Sequence, residues 1–208
     1  MVIVRVLLLV ALATGCARAP RAGPLTGVPV ARAVPDTRLP AGHHRVIFEW
    51  EYKERVFSAR GDGVARISSP DSLRIDLFLQ NGSSGGYVII IGDSLVAVAQ
   101  EDARRSLPPE PLLWASLGVV RVTAPDTVVR QDGDTLRVEI GMNPTWRMAY
   151  GTDLARMDRI SGGRLEQTVL RTDSTRVLYR QPAAGRSLVL TIRRTVREAG
   201  FDASIWRP

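Results

Sequence analysis

From His44 onward the apolar residues fall on alternate positions, and this period of two limits the possible folds more than any other feature of the chain. Side chains on a strand point alternately to opposite faces, so the alternation marks strands with one buried and one wet face. Val46, Phe48, Trp50 and Tyr52 alternate with Arg45, Ile47, Glu49 and Glu51. Phe57, Ala59, Gly61, Gly63, Ala65 and Ile67 share the next face, with glycines where a long strand can bend. Leu73, Ile75, Leu77 and Leu79 alternate with Arg74, Asp76 and Phe78, and the loop Asn81-Gly82-Ser83-Ser84-Gly85-Gly86 follows. Gly92-Asp93-Ser94 joins strands over 87–91 and 95–99 as a compact hairpin connection.

One helix interrupts the pattern. Pro108-Pro109-Glu110-Pro111 opens it, since a first turn tolerates proline, and Gly118 closes it. Leu112, Leu113 and Leu117 form its buried stripe, with Trp114 beside them. Strands resume over 128–130 and 135–141, joined through Asp132-Gly133, and then over 145–150, 155–160, 165–171, 176–180 and 188–196. The expected fold class is mainly β: one antiparallel meander of about eleven strands with one short helix. One helix cannot cover that much apolar sheet, so the sheet must curve strongly into an open or closed barrel.

The N-terminus reads differently. Residues 2–12 are apolar apart from Arg5, and small residues lead to Cys16, the pattern of a secretory signal over residues 1–15. The apolar run is too short to span a bilayer, which takes about 20 residues. Leu12-Ala13-Thr14-Gly15-Cys16 resembles the lipobox of bacterial lipoproteins, although Ala13 stands where leucine is usual. That resemblance implies cleavage before Cys16 and its acylation, which makes Cys16 the lipidation site and the membrane anchor. Ala17 in place of aspartate favours the outer membrane. Cys16 is the only cysteine, so neither a disulfide framework nor a thiolate metal site is available. Residues 16–42 then read as the lipidated cysteine and a Pro-rich, partly disordered tether, averaging about 30 Å end to end over its random-coil length. Residues 43–208 form the folded domain.

The net charge of +7 comes almost wholly from arginine, Lys53 being the only lysine. These cations are scattered through strands rather than clustered among aromatics, so a nucleic-acid footprint is not expected. His43 and His44 are adjacent, where strand geometry sends them to opposite faces. There is no phosphate-binding glycine loop ahead of a helix and no H-E-x-x-H. Most aspartates fall in turns, where they bond nearby amides. No cofactor, metal or catalytic residue is assigned.

Phe48-Glu49-Trp50 on the first strand, then 73–78 before a glycine-rich loop, resembles the Lol-type lipoprotein carriers and receptors, which share the LolA/LolB fold and include LolB-like outer-membrane lipoproteins. The stretch 107–113 followed by Leu117-Gly118 is similar to that family's small helix region, and 146–150 with 154–157 to its later strand pair. The resemblance implies a half-open β-barrel with a helical lid and an apolar cavity for the acyl chains of a client lipoprotein. On that reading the cavity is lined by Val46, Phe48, Trp50, Leu73, Ile75, Leu77, Leu136, Val138, Ile140, Trp146, Met148 and Tyr150, with Trp114 capping its mouth. The family's receptor carries an exposed leucine in one loop; the matching loop, 81–86, has none. The expected protein is a monomeric, non-enzymatic, outer-membrane-anchored lipoprotein facing the periplasm. It would bind lipid acyl chains or client lipoproteins. The alternative is an envelope adaptor with a filled core that binds a partner protein.

Overall fold

The structure is a computed structural model and describes residues 19–35, 37, 41–98 and 107–207. The signal segment and Cys16 lie outside the described residues. Thirteen strands form one sheet. They are β1 (Val28–Pro29), β2 (His43–Glu54), β3 (Phe57–Ser68), β4 (Ser72–Leu79), β5 (Ser84–Ile91), β6 (Ser94–Val98), β7 (Thr127–Asp132), β8 (Thr135–Ile140), β9 (Thr145–Tyr150), β10 (Leu154–Ser161), β11 (Arg164–Arg171), β12 (Arg176–Gln181) and β13 (Arg186–Glu198). A helix, α1 (Glu110–Ser116), lies between β6 and β7.

The order across the sheet is β1-β7-β8-β9-β10-β11-β12-β13-β2-β3-β4-β5-β6, and every pair is antiparallel. Two meanders are thus joined where the last strand meets the first long one, with Leu188 opposite Tyr52 and Leu190 opposite Trp50. The edges β1 and β6 do not pair with each other, so the sheet is curved but unclosed, a half-open barrel with one short helix on its apolar face.

Alternation explains which face is buried. Val46, Phe48 and Trp50 of β2, Ala65 and Ile67 of β3, and Leu73 of β4 pack in one core with Leu136, Val138 and Ile140 of β8, Met148 and Tyr150 of β9, and Val177 and Tyr179 of β12. The opposite face is laced by ion pairs. Arg66 and Arg74 both bind the Asp76 carboxylate, and Arg147 binds Glu139. The runs expected to be strands correspond one to one to β2–β13, twelve where the count was put at about eleven, and the two-residue β1 adds a thirteenth.

The stretch expected to be a free tether is tied down from residue 19. Leu165 N donates to the Pro20 carbonyl (2.8 Å) and Ala22 N to that of Gly163 (2.9 Å). Arg147 Nη1 reaches the Gly23 carbonyl (2.8 Å), and Thr26 Oγ1 donates to Asp132 (2.6 Å). β1 then adds to the edge of β7, with Val28 opposite Gln131. The physical reason is the edge itself: unpaired amides and carbonyls on β7 accept any extended strand, whatever its side chains. Composition reports only the absence of a hydrophobic pattern there.

Candidate functional site

The site begins with the two ends of the barrel. At one end lie the β3–β4, β5–β6, β7–β8, β9–β10 and β11–β12 turns; at the other lie the β2–β3, β4–β5, β8–β9, β10–β11 and β12–β13 turns. Helix α1 sits at the first, closed end. Its carboxyl-terminal carbonyl, at Ser116, accepts from Arg171 Nη2 at the foot of β11 (3.2 Å), and the chain after it is held by Arg121, whose Nη1 donates to the Pro70 carbonyl (3.1 Å). Leu112, Leu113, Trp114 and Ala115 are all buried, which is what a helix apolar on nearly every side requires. The helix lies mainly against β10, β11 and β12.

Trp114 therefore does not cap an open mouth, as its expected role had it. It is buried at the closed end, with the Arg121 guanidinium stacked 4.9 Å from its ring centre. Burial pushes the Glu110 carboxyl up to about 7, against the pull of Arg121. Burial likewise pushes the Tyr150 and Tyr179 hydroxyls up to about 12 and holds the Arg171 guanidinium below its ordinary value.

The thirteen side chains expected to line a cavity do gather into one contiguous cluster. Val46, Phe48, Trp50, Leu73, Leu136, Val138, Ile140, Met148, Tyr150 and Trp114 are buried in it, while Ile75, Leu77 and Trp146 are only partly covered. Most of that set thus faces the protein's own side chains. The difference is the helix: it fills the closed end from inside, where pattern alone cannot say how deeply it sits.

What remains open lies elsewhere. A hollow of about 640 Å³ adjoins the end of α1, lined by Leu117, Gly118, Tyr150, Leu154, Ala155 and Arg171 among others. A smaller one of about 220 Å³ lies under Ile67, Pro70, Trp114 and Val119. A polar hollow of about 590 Å³ opens where Glu49, Glu51, Arg60, Asp62 and Arg176 meet.

Toward the other end the inward-facing apolar residues lose their cover. Tyr52, Ala59, Leu77, Leu79 and Leu188 stand in line on neighbouring strands and are only half-buried, in contrast to Ile67 and Leu73 at the closed end. Tyr52 and Leu79 were visible as members of alternating runs. Leu188 was not, because its place beside Tyr52 comes from pairing between the first and last long strands. Of the loop expected at 81–86, residues 84–86 belong to β5, paired with Leu77 and Phe78, and in the shorter turn that joins β4 to β5 at this end the Asn81 side chain accepts from Ser83 N (3.0 Å).

Among the described residues no group of three histidine, cysteine, aspartate or glutamate side chains could hold a metal ion, and no helix is long and apolar enough to cross a membrane.

An unclosed antiparallel half-barrel with an internal helix defines the class, and solved structures share it. The chain is similar to a LolA superfamily protein from Nitrosomonas europaea at 12% identity, with 83% of this chain and 93% of that chain covered and a TM-score of 0.51. It is similar to a domain assigned to outer membrane lipoprotein sorting from Vibrio parahaemolyticus at 8% identity, with 82% and 91% covered and a TM-score of 0.51. No family model and no curated protein sequence matches the chain. The protein has the Lol-type fold.

Proposed function

We propose that this protein is a non-catalytic envelope lipoprotein, anchored through acylated Cys16 in the outer membrane and facing the periplasm, that shelters acyl chains of lipoproteins or other amphiphiles. The observation that carries the reading is the strip Tyr52, Ala59, Leu77, Leu79 and Leu188, apolar and half-covered on the inner face of a half-barrel that the helix fills only at its far end. An alkyl chain laid along that strip removes apolar surface from water at about 25 cal/mol per Å², with no covalent step. The Lol-type fold supports the same use, since the neighbour from Vibrio parahaemolyticus is assigned to lipoprotein sorting.

A second reading has its own support. Leu112, Trp114, Val138, Met148 and Met157 are fully buried together, a filled core suited to an adaptor that binds a partner protein. Titration with a fluorescent fatty acid separates the two. Saturable binding that is lost in Leu77→Arg supports the carrier, whereas a chain that takes up no probe, and whose native mass shows no lipid, is the adaptor. Mass spectrometry of the membrane-derived protein tests the anchor: Cys16 should carry acyl chains, and an unmodified Cys16 removes the lipoprotein reading.

A further inference from the structure

The two ends of the half-barrel differ in chemistry as well as in cover. Every turn at the closed end carries an aspartate: Asp71, Asp93, Asp134, Asp153 and Asp173. The turns at the open end, 55–56, 80–83, 141–144, 162–163 and 182–185, contain neither aspartate nor glutamate, and the first contains Arg55. A general preference of aspartate for turns would populate both ends alike. The open end instead shows apolar side chains to solvent. Val56, 98% exposed, and Met142, 80% exposed, are the most exposed large apolar residues described, and both lie in its turns. Phe57 (57%) adjoins Val56.

From these observations we infer that the open rim of the barrel is a bilayer-docking surface, which seats Val56, Phe57 and Met142 in an anionic lipid interface and turns the mouth of the concave face toward the membrane. Shape favours a flat partner over a small ligand. The β8–β9 and β2–β3 turns are separated by β10, β11, β12 and β13, so Val56 and Met142 lie roughly 24 Å apart around the sheet at one strand spacing per step. Only an extended surface meets both at once. Charge favours an acidic one, because the turn aspartates lie at the far end while Arg55 stands on the rim and the adjacent Glu54 is paired with Arg186 (2.8 Å).

The path of the chain gives the third argument, and this one rests on the lipid-anchor reading of Cys16. Arg164 Nη1 donates to the Ala19 carbonyl (3.1 Å) and Leu165 N to that of Pro20 (2.8 Å), so the N-terminal segment is fastened at the β10–β11 turn, on the open rim. Three residue steps separate Cys16 from Ala19, a reach of at most about 11 Å. An acyl group within that reach of Ala19 would enter the same membrane as this rim. A hydrocarbon tail could then pass from bilayer to concave face without crossing water.

The test uses the acylated full-length chain on vesicles of phosphatidylcholine and phosphatidylglycerol. Acylation blocks the native cysteine, so Val56→Cys, Met142→Cys and Asp134→Cys each take one environment-sensitive fluorophore. Probes at 56 and 142 should shift to the blue and be quenched by brominated lipid, with the probe at 134 unchanged. Equal responses at all positions, or a response confined to 134, overturn the orientation while leaving the anchor standing. If mass spectrometry shows Cys16 unmodified, the anchor reading has failed by itself, and the same positions are read in the Cys16→Ala chain. There, Val56→Asp should weaken vesicle binding by roughly tenfold, from the loss of one buried apolar side chain. Vesicle binding unchanged by Val56→Asp, or no binding at all by the Cys16→Ala chain, counts against the docking surface itself. Because Val56 is almost wholly exposed, the substitution leaves the core untouched.

Discussion

Phe48 lays its ring over the bare Cα of Gly63, its partner across the β2–β3 pair, so closely that a Cβ at Gly63 would sit 2.3 Å from the ring. The absent side chain is what leaves room for the ring of an aromatic residue of β2 on the inner face. Trp50 uses the neighbouring Gly61 position differently, sending its indole N–H to the Asp62 carbonyl (2.9 Å).

Gly63→Ala should therefore destabilise the protein by about 1–3 kcal/mol through overpacking against Phe48. Gly61→Ala should cost more, because its Cβ would meet the Phe78 carbonyl oxygen at 1.8 Å, and backbone cannot swing aside as a ring can. Thermal unfolding of both variants checks the order. If Gly63→Ala proves the worse of the two, the contrast between ring and backbone is mistaken.

The same glycines show what the sequence could and could not reveal. Alternation placed Gly61 and Gly63 on the inner face of a long strand, and they lie opposite the inward-facing Trp50 and Phe48. The antiparallel strands were legible for the same reason, as alternating runs, several of them closed by Gly-Asp or Gly-Gly turns. The depth of the helix was not. A helical lid was legible from Leu112, Leu113, Trp114, Ala115 and Leu117, but a helix apolar nearly all round can sit at any depth within the barrel. Val56 and Phe57 carried no sign of exposure either, since the alternation that sends Ala59 inward continues to Phe57 although the strand has by then run past β4 and pairs with β2 alone. β1 was invisible because an edge recruits backbone, and two residues ending in Pro29 make no pattern.

The attachment of that edge segment depends on one backbone position. Gly27 has φ +98, and a Cβ there would lie 2.5 Å from the Gln131 carbonyl oxygen, while its own carbonyl accepts from Arg130 Nη1 (2.9 Å). Gly27→Ala meets strain of about 1–3 kcal/mol from the left-handed backbone together with the clash. Since the segment is held by a few edge contacts, it should peel away while the sheet persists. Trypsin should then cut at Arg21 and Arg32 much faster than in the parent protein, with near-unchanged circular dichroism. Equal cleavage rates would mean that the segment is held by something other than its pairing with β7.

Glu110 links the helix to pH. Its carboxyl titrates at about 7 in the folded protein, against an ordinary value of 4.5, because burial at the start of α1 disfavours the charge more than Arg121 favours it. Below about pH 4.5 both folded and unfolded chains hold the proton, and the carboxyl contributes no pH dependence. Between there and about 7 the unfolded chain releases the proton while the folded one retains it, so stability falls as pH rises. Above about 7 the loss is complete and constant. Glu110→Gln removes the ionisation and keeps the shape. It should match the parent protein in acid and exceed it above neutrality by on the order of 1–2 kcal/mol, allowing for solvent screening at a half-buried site. Denaturant unfolding at two pH values reads the difference directly. A gain of the same size at both would show that packing, and not charge, governs this position. A larger deficit in acid would show that the protonated carboxyl makes a bond that holds the helix in place.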